Sequence, residues 1–188
     1  ANLSSEMDDT DKVVKLLDSA KKMGIEIMPP DVNTSFADFR AVSDTCIAYG
    51  LAAIKNHGSK AATAIAGYRK ESGNYKTLFD LCQIGSHVIN RKTLEALVQA
   101  GACDHLDGHR AQQFEMIDDA LRWGQKINEE VASSQESLFG GTADVVAIAA
   151  PPLPDVEVWT SEDCLRREKE IVGFYLSGNP LEKYMDDI

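Results

Sequence analysis

The stretch Leu51-Ala52-Ala53-Ile54-Lys55-Asn56-His57-Gly58-Ser59-Lys60-Ala61-Ala62-Thr63-Ala64-Ile65 decides how this chain is read. A short apolar helix is followed by a tight turn around Gly58 and then by a second apolar run at helical spacing. A turn of this kind points backbone N–H groups outward at the start of the second helix. Those donors lack intrahelical partners and sit at the positive end of the helix dipole, so the turn suits one phosphate of a nucleic-acid backbone. The candidate contacts are Lys55, Asn56, His57, Gly58, Ser59 and Lys60. Gly58 permits close backbone approach, and Asn56 is a residue type that tolerates positive φ. Lys55 and Lys60 add charge. Such contacts hold a duplex in place without reading its sequence.

The same unit recurs downstream. Asn90 caps a helix with Leu94, Leu97 and Val98 on one face, and Gly101 ends it. The run 101–108 then turns into a long helix through Phe114, Ile117, Leu121 and Ile127. Two related units can share a core that one alone could not build. Asp104 and Asp107 stand where a phosphate would approach the second turn, which gives that turn a supporting role, with Arg91, Lys92 and Arg110 as secondary backbone contacts.

Charge distribution agrees with a local contact. The chain carries a formal charge of −11 over 188 residues, which argues against a surface that binds nucleic acid everywhere. The net charge is −4 over residues 1–48, +3 over 49–110 and −10 over 111–188. The basic island, with all four histidines, coincides with the two turns. No apolar run reaches the roughly 20 residues needed to span a bilayer, and the acidic first segment does not read as a signal peptide. The chain begins without Met and in mid-pattern, as expected of a piece of something longer. Cys46, Cys82, Cys103 and Cys164 form no C-x-x-C pair, so reduced thiols are expected rather than a zinc or redox motif. Cys103, His105 and His109 lack a fourth ligand. The mixed charges of Glu162, Asp163, Arg166, Arg167, Glu168, Lys169 and Glu170 read as a solvated helix face.

Around this centre the pattern changes twice. Residues 1–48 look α/β: a helix with Thr10 as N-cap and Gly24 as terminator, a strand through Ile25 to Met28, and two short strands around Ser43-Asp44-Thr45. Residues 132–160, rich in Ser, Gly and Pro, read as a mobile linker. A terminal amphipathic helix follows from Ser161 towards Gly178. The fold class is therefore mainly α, with a small α/β N-terminal part.

Seven strings in order carry a family resemblance. They include Pro29-Pro30-Asp31-Val32-Asn33, Tyr49-Gly50-Leu51-Ala52-Ala53-Ile54-Lys55-Asn56, Leu78-Phe79-Asp80-Leu81-Cys82, Leu94-Glu95-Ala96-Leu97-Val98-Gln99-Ala100-Gly101-Ala102 and Gly173-Phe174-Tyr175-Leu176-Ser177-Gly178-Asn179-Pro180-Leu181. With these the chain resembles the DnaE-type alpha subunits of bacterial DNA polymerase III over essentially its whole length. The resemblance implies four segments: the end of the fingers region (1–48), a tandem helix-hairpin-helix DNA-binding domain (49–131), a linker with a clamp-binding motif (132–160), and a helix approaching an OB domain (161–188). It also implies partners, namely double-stranded DNA, the sliding clamp (the beta ring) and other polymerase III holoenzyme subunits. A cytoplasmic setting and no membrane are expected.

Relatives usually carry Gly where Asn56 stands. The string Gln135-Glu136-Ser137-Leu138-Phe139 is similar to the short clamp-binding motif Q-x-x-L-F. There Leu138 and Phe139 would fill an apolar pocket while Gln135 makes an orienting hydrogen bond. The family's metal-binding palm aspartates and its PHP domain lie outside this sequence. No catalytic residue, metal or cofactor is therefore expected in this chain, and Mg would belong to the parent polymerase. The alternative is an enzymatic part: residues 1–48 would help form the fingers, with Lys12 or Lys15 touching a nucleotide triphosphate.

Overall fold

The computed structural model describes residues 2–7, 9–56, 58–136 and 148–176. The chain opens with a short helix, α1 (Asn2–Ser5), followed by α2 (Thr10–Lys22). Asp9, one residue before the expected Thr10, is the N-cap of α2, and its carboxylate accepts from the Lys12 backbone N–H. Hydrogen bonding to the ionised form holds the Asp9 carboxyl below the usual range. Val13, Leu17 and Ala20 give α2 its buried face.

Three strands follow: β1 (Glu26–Met28), β2 (Arg40–Ser43) and β3 (Cys46–Ala48), in the order β1-β3-β2. β1 runs parallel to β3, with Ile27 opposite Ile47, and β2 runs antiparallel to it with a register shift between Ala41 and Ser43. The expected turn at 43–45 therefore joins a real hairpin. The segment between β1 and β2 crosses to the second half of the molecule: the Val32 N–H donates to the Ala102 carbonyl at 2.9 Å, and Arg69 donates to the Val32 carbonyl at 2.6 Å.

The helix expected at Leu51 is a single 3-10 turn, Leu51–Ala53. The Ile54 N–H closes the turn on Leu51 O at 3.2 Å, but the Lys55 N–H, which an α-helix would bond to Leu51 O, goes to Ile171 O at 3.2 Å, and Asn56 turns to positive φ, so the helix is not extended. Then come α3 (Ser59–Ser72), α4 (Leu78–Cys82), α5 (Arg91–Gln99), α6 (Arg110–Glu115), α7 (Ile117–Glu136) and α8 (Ser161–Val172). Thr77 and Asp80 form a reciprocal capping box on α4, and Asn90 caps α5 through the Thr93 N–H. The long helix expected after the second turn is interrupted at Met116 (φ −89°, ψ 7°), where the backbone leaves helical geometry for one residue.

One apolar core runs through the described residues on both sides of position 48. Val13 and Leu17 of α2, Ile27 of β1, Tyr49, Leu51, Ile54, Ile65 of α3, Leu78 and Leu81 of α4, Leu94 and Leu97 of α5, Ile117 of α7 and Val172 of α8 all belong to it. α7 continues to Glu136, past the 131 boundary suggested by composition.

Residues 148–160 have no regular secondary structure but do not hang free. The Trp123 indole donates to the Ile148 carbonyl at 3.0 Å, Gln112 donates to Pro154 O at 2.9 Å, and Trp159 packs on Phe114 with centroids 5.4 Å apart. The Trp159 ring and the carbonyls of Ile148 and Pro154 thus fasten this strap to α6 and α7. α8 ends at Val172 rather than near Gly178. Gly173 closes it in the left-handed conformation (φ 94°), its N–H bonded to Lys169 O. A Cβ there would sit 2.9 Å from both Thr10 and Val14, which is how α8 comes to lie against α2. Among the described residues no helix is long and apolar enough to cross a membrane.

Candidate nucleic-acid interface

The first turn is built on a buried base and an open top. Ile54, 2% exposed, anchors the 3-10 segment that enters the turn, and Ala61, Ala62 and Ile65 anchor α3. Between them Lys55, Asn56, Gly58, Ser59 and Lys60 are all exposed, and His57 lies outside the described residues. Asn56 takes φ +63°, so it does adopt the left-handed conformation. Gly58, at φ +79°, is the N-cap of α3; no side chain caps the helix, and its first turn holds no acidic residue.

The first intrahelical bond runs from the Ala62 N–H to Gly58 O at 3.2 Å. The N–H groups of Ser59, Lys60 and Ala61 precede it at the positive pole. A Cβ added to Gly58 would meet nothing within 4 Å, so the space over the turn is open. Lys55 is fastened from below. Its N–H donates to Ile171 O at 3.2 Å and its ammonium to Glu170 O at 3.3 Å, so it sits over the carbonyl end of α8.

The second turn has the same backbone plan and the opposite surroundings. Gly101 is again at positive φ, +77°. Here a Cβ would lie 2.9 Å from Arg110 Cζ and 3.0 Å from Asp104 Oδ2. Arg110 forks onto Asp104 through two bonds of 2.6 Å, and its Nη1 lies 3.7 Å from the carboxylate of Glu168, which is 1% exposed. Burial opposes the Arg110 charge, but the Asp104 carboxylate beside it outweighs that, and the guanidinium is held more firmly protonated than usual.

The amide of buried Gln113 donates to Cys103 O at 2.9 Å and Gly108 O at 3.0 Å. Leu153 of the strap covers Gly108. His109 and Gln112 cap α6 reciprocally. Side chains of the protein itself thus occupy the space over this turn. Of the secondary contacts expected here, Arg110 is thus committed to the fold, and Arg91 is tied to Glu95 at 2.7 Å and Asp118 at 2.5 Å. Cys103, His105 and His109 do not converge as ligands: the thiol is buried, His105 faces Asp31 at 3.0 Å, and His109 caps α6.

The clamp-motif residues are only partly placed. Gln135 falls in the last turn of α7, and Leu138 and Phe139 lie outside the described residues. Charge patterning along single helices missed another feature. Arg166 and Lys169 of α8 do not simply face solvent; with Lys15 of α2 they converge on Lys55 around an open groove of about 660 Å³. The sequence signal for it was weak: α2 carries more Lys than Asp, but α8 holds three cations among four acids.

A helix-hairpin-helix motif model matches residues 24–113, which enclose both turns. Over its whole length the chain is 34% identical to the DNA polymerase III subunit alpha of Vibrio cholerae, 36% identical to that of Xylella fastidiosa and 34% identical to that of Escherichia coli K12. It spans about 16% of the length of each of these relatives.

Proposed function

We propose that this chain, which belongs to the DNA polymerase III alpha-subunit family, is a gripping rather than a reacting part of that protein. It holds the backbone of double-stranded DNA at the first turn without regard to sequence. It also binds the sliding clamp through Gln135, Leu138 and Phe139, in the cytoplasm and alongside other holoenzyme subunits. The observation that supports DNA contact is the uncapped, acid-free start of α3 beneath an open Gly58, flanked by Lys55 and Lys60.

Each cation that neutralises a phosphate releases a counterion, so affinity falls steeply with salt. Tethering to a ring would raise the local concentration of polymerase at the primer end with no new chemistry. By itself the chain transfers no nucleotide. The alternative role in the fingers draws little from Lys12, which is held by Glu6 at 2.9 Å and Asp9 at 3.6 Å.

Two titrations test this. Fluorescent duplex DNA is bound by the chain across a salt series, and Lys55→Ala with Lys60→Ala lowers the log–log slope by about 2. An unchanged slope and affinity would remove the turn from DNA contact. In the second titration, immobilised sliding clamp captures the chain, and Leu138→Ala with Phe139→Ala abolishes capture. Capture at wild-type strength by that double variant would end the clamp assignment.

A further inference from the structure

The turn at Gly58 is not an isolated contact, because its first cation also lines something else. Lys55 contributes to the groove between α2 and α8, where it meets Lys15, Arg166 and Lys169. The acids in the same lining are Asp11 and Glu170, so four cations face two carboxylates. This sign is opposite to that of the molecule, which is strongly acidic.

The groove is formed by elements far apart in sequence. α8 is brought against α2 by the close approach at Gly173 and against the turn by the Lys55 backbone bond to Ile171 O. The cations keep their charge toward the opening in different ways. The Lys55 ammonium donates to a neutral carbonyl, and Lys169 lies 4.9 Å from the Tyr175 ring centroid, an interaction that leaves the charge uncancelled. Arg166 is the exception, being bonded to Asp163 at 2.6 Å.

We infer that this groove is a second phosphate-binding surface, which carries the DNA backbone onward from the first turn past Lys55 to Lys15 and Lys169. The inference rests on the DNA contact proposed above and gives that contact a direction. The ligand chemistry is phosphate anion, and two sources could supply it: a phosphodiester backbone or a free nucleoside triphosphate. The lining favours the backbone. No aromatic side chain stands among the described residues of the groove to stack a base, and four of its six charged groups are cations suited to phosphate. Its continuity with the turn through one shared lysine extends a single track of positive charge, as a long polyanion requires. Asp11 and Glu170 weaken that track, and replacing them with amides should strengthen it.

The test is a salt series on the 188-residue chain with duplex DNA, in three variants checked for unchanged thermal midpoint. Lys15→Gln with Lys169→Gln keeps most of each aliphatic stem while removing both charges. It should weaken binding about tenfold at low salt and lower the log–log slope by about 2. Lys60→Ala reports on the turn alone, and Asp11→Asn with Glu170→Gln should tighten binding. If Lys60→Ala weakens binding while the groove variant binds as wild type, the groove is overturned and the turn stands. If neither variant alters binding, the DNA reading of the turn falls and the groove falls with it. A nucleoside triphosphate that binds the wild type and not the groove variant, with duplex affinity equal in both, would overturn the inference in favour of a nucleotide site. Weaker or equal duplex affinity in the acid-neutralised variant also counts against it.

Discussion

The two turns share a backbone plan and differ in what fills the space above it. At Gly58 a Cβ would find nothing within 4 Å, whereas at Gly101 it would run into the Arg110 guanidinium. The first turn leaves its helix start uncapped and in water. The second folds Arg110, Asp104 and Gln113 back over itself and takes Leu153 as a cover. One turn spends its polar groups on the fold, whereas the other leaves the start of its helix uncapped and open. The firmness of the second supports the openness of the first, because both pack on one core and both touch α8, through Arg110 beside Glu168 and Lys55 beneath Ile171.

The sharpest way to break this comparison is Arg110→Ala. The substitution removes the cation between Asp104 and the buried Glu168 and should cost about 3 kcal/mol of unfolding free energy, read by urea denaturation. A loss under about 0.5 kcal/mol, the scale of an ordinary surface substitution, would mean the second turn does not hold the fold together.

A matched pair of glycine substitutions comes next. Gly58→Ala suffers only from its positive φ and should cost about 1 kcal/mol. Gly101→Ala suffers the same and must also displace Arg110, so it should cost more by about 1–2 kcal/mol. Equal losses would show that the two turns are alike in energy as well as in backbone.

The smallest effect is expected from pH. Burial pushes the Cys82 thiol up to about 12, and Cys103, inside the second turn, higher still. An unfolded thiol ionises near roughly 8.5. Above that pH the unfolded chain loses protons that the folded chain keeps. The stability contributed by the neutral thiols is therefore complete below about 8.5 and drains as pH rises towards 12. Between pH 8 and 9.5 the loss is about 1 kcal/mol per thiol. Thermal midpoints across that range should fall less in a Cys82→Ala, Cys103→Ala variant than in the wild type. Parallel curves would show that these two buried thiols do not titrate with unfolding.

Much of the local structure is written in single residues. Thr77 with Asp80, Asn90, Gly73 and Gly101 mark helix ends because their chemistry acts within about one turn of the chain. Asn56 adopts positive φ, as its residue type allows. Elsewhere the same local logic overshot. Leu51 to Ile54 read as a helix by apolarity, yet the next donor, the Lys55 N–H, is claimed by the distant Ile171 carbonyl. The linker composition of 148–160 hid a strap whose Trp159 and Pro154 have partners on α6. The charges of α8 read as solvated because nothing within one helix reveals a neighbouring helix.

From its residues alone the chain settled the mainly helical class, the two glycine turns, most of their caps and the lone basic region, since each depends on neighbours a few positions apart. Which turn stays open, where the strap lies, and the meeting of Lys15, Lys55 and Lys169 in one groove were decided only in three dimensions. Those outcomes depend on side chains brought together across more than a hundred residues by burial of a common core, and burial of that kind is a property of the assembled fold rather than of any window of sequence.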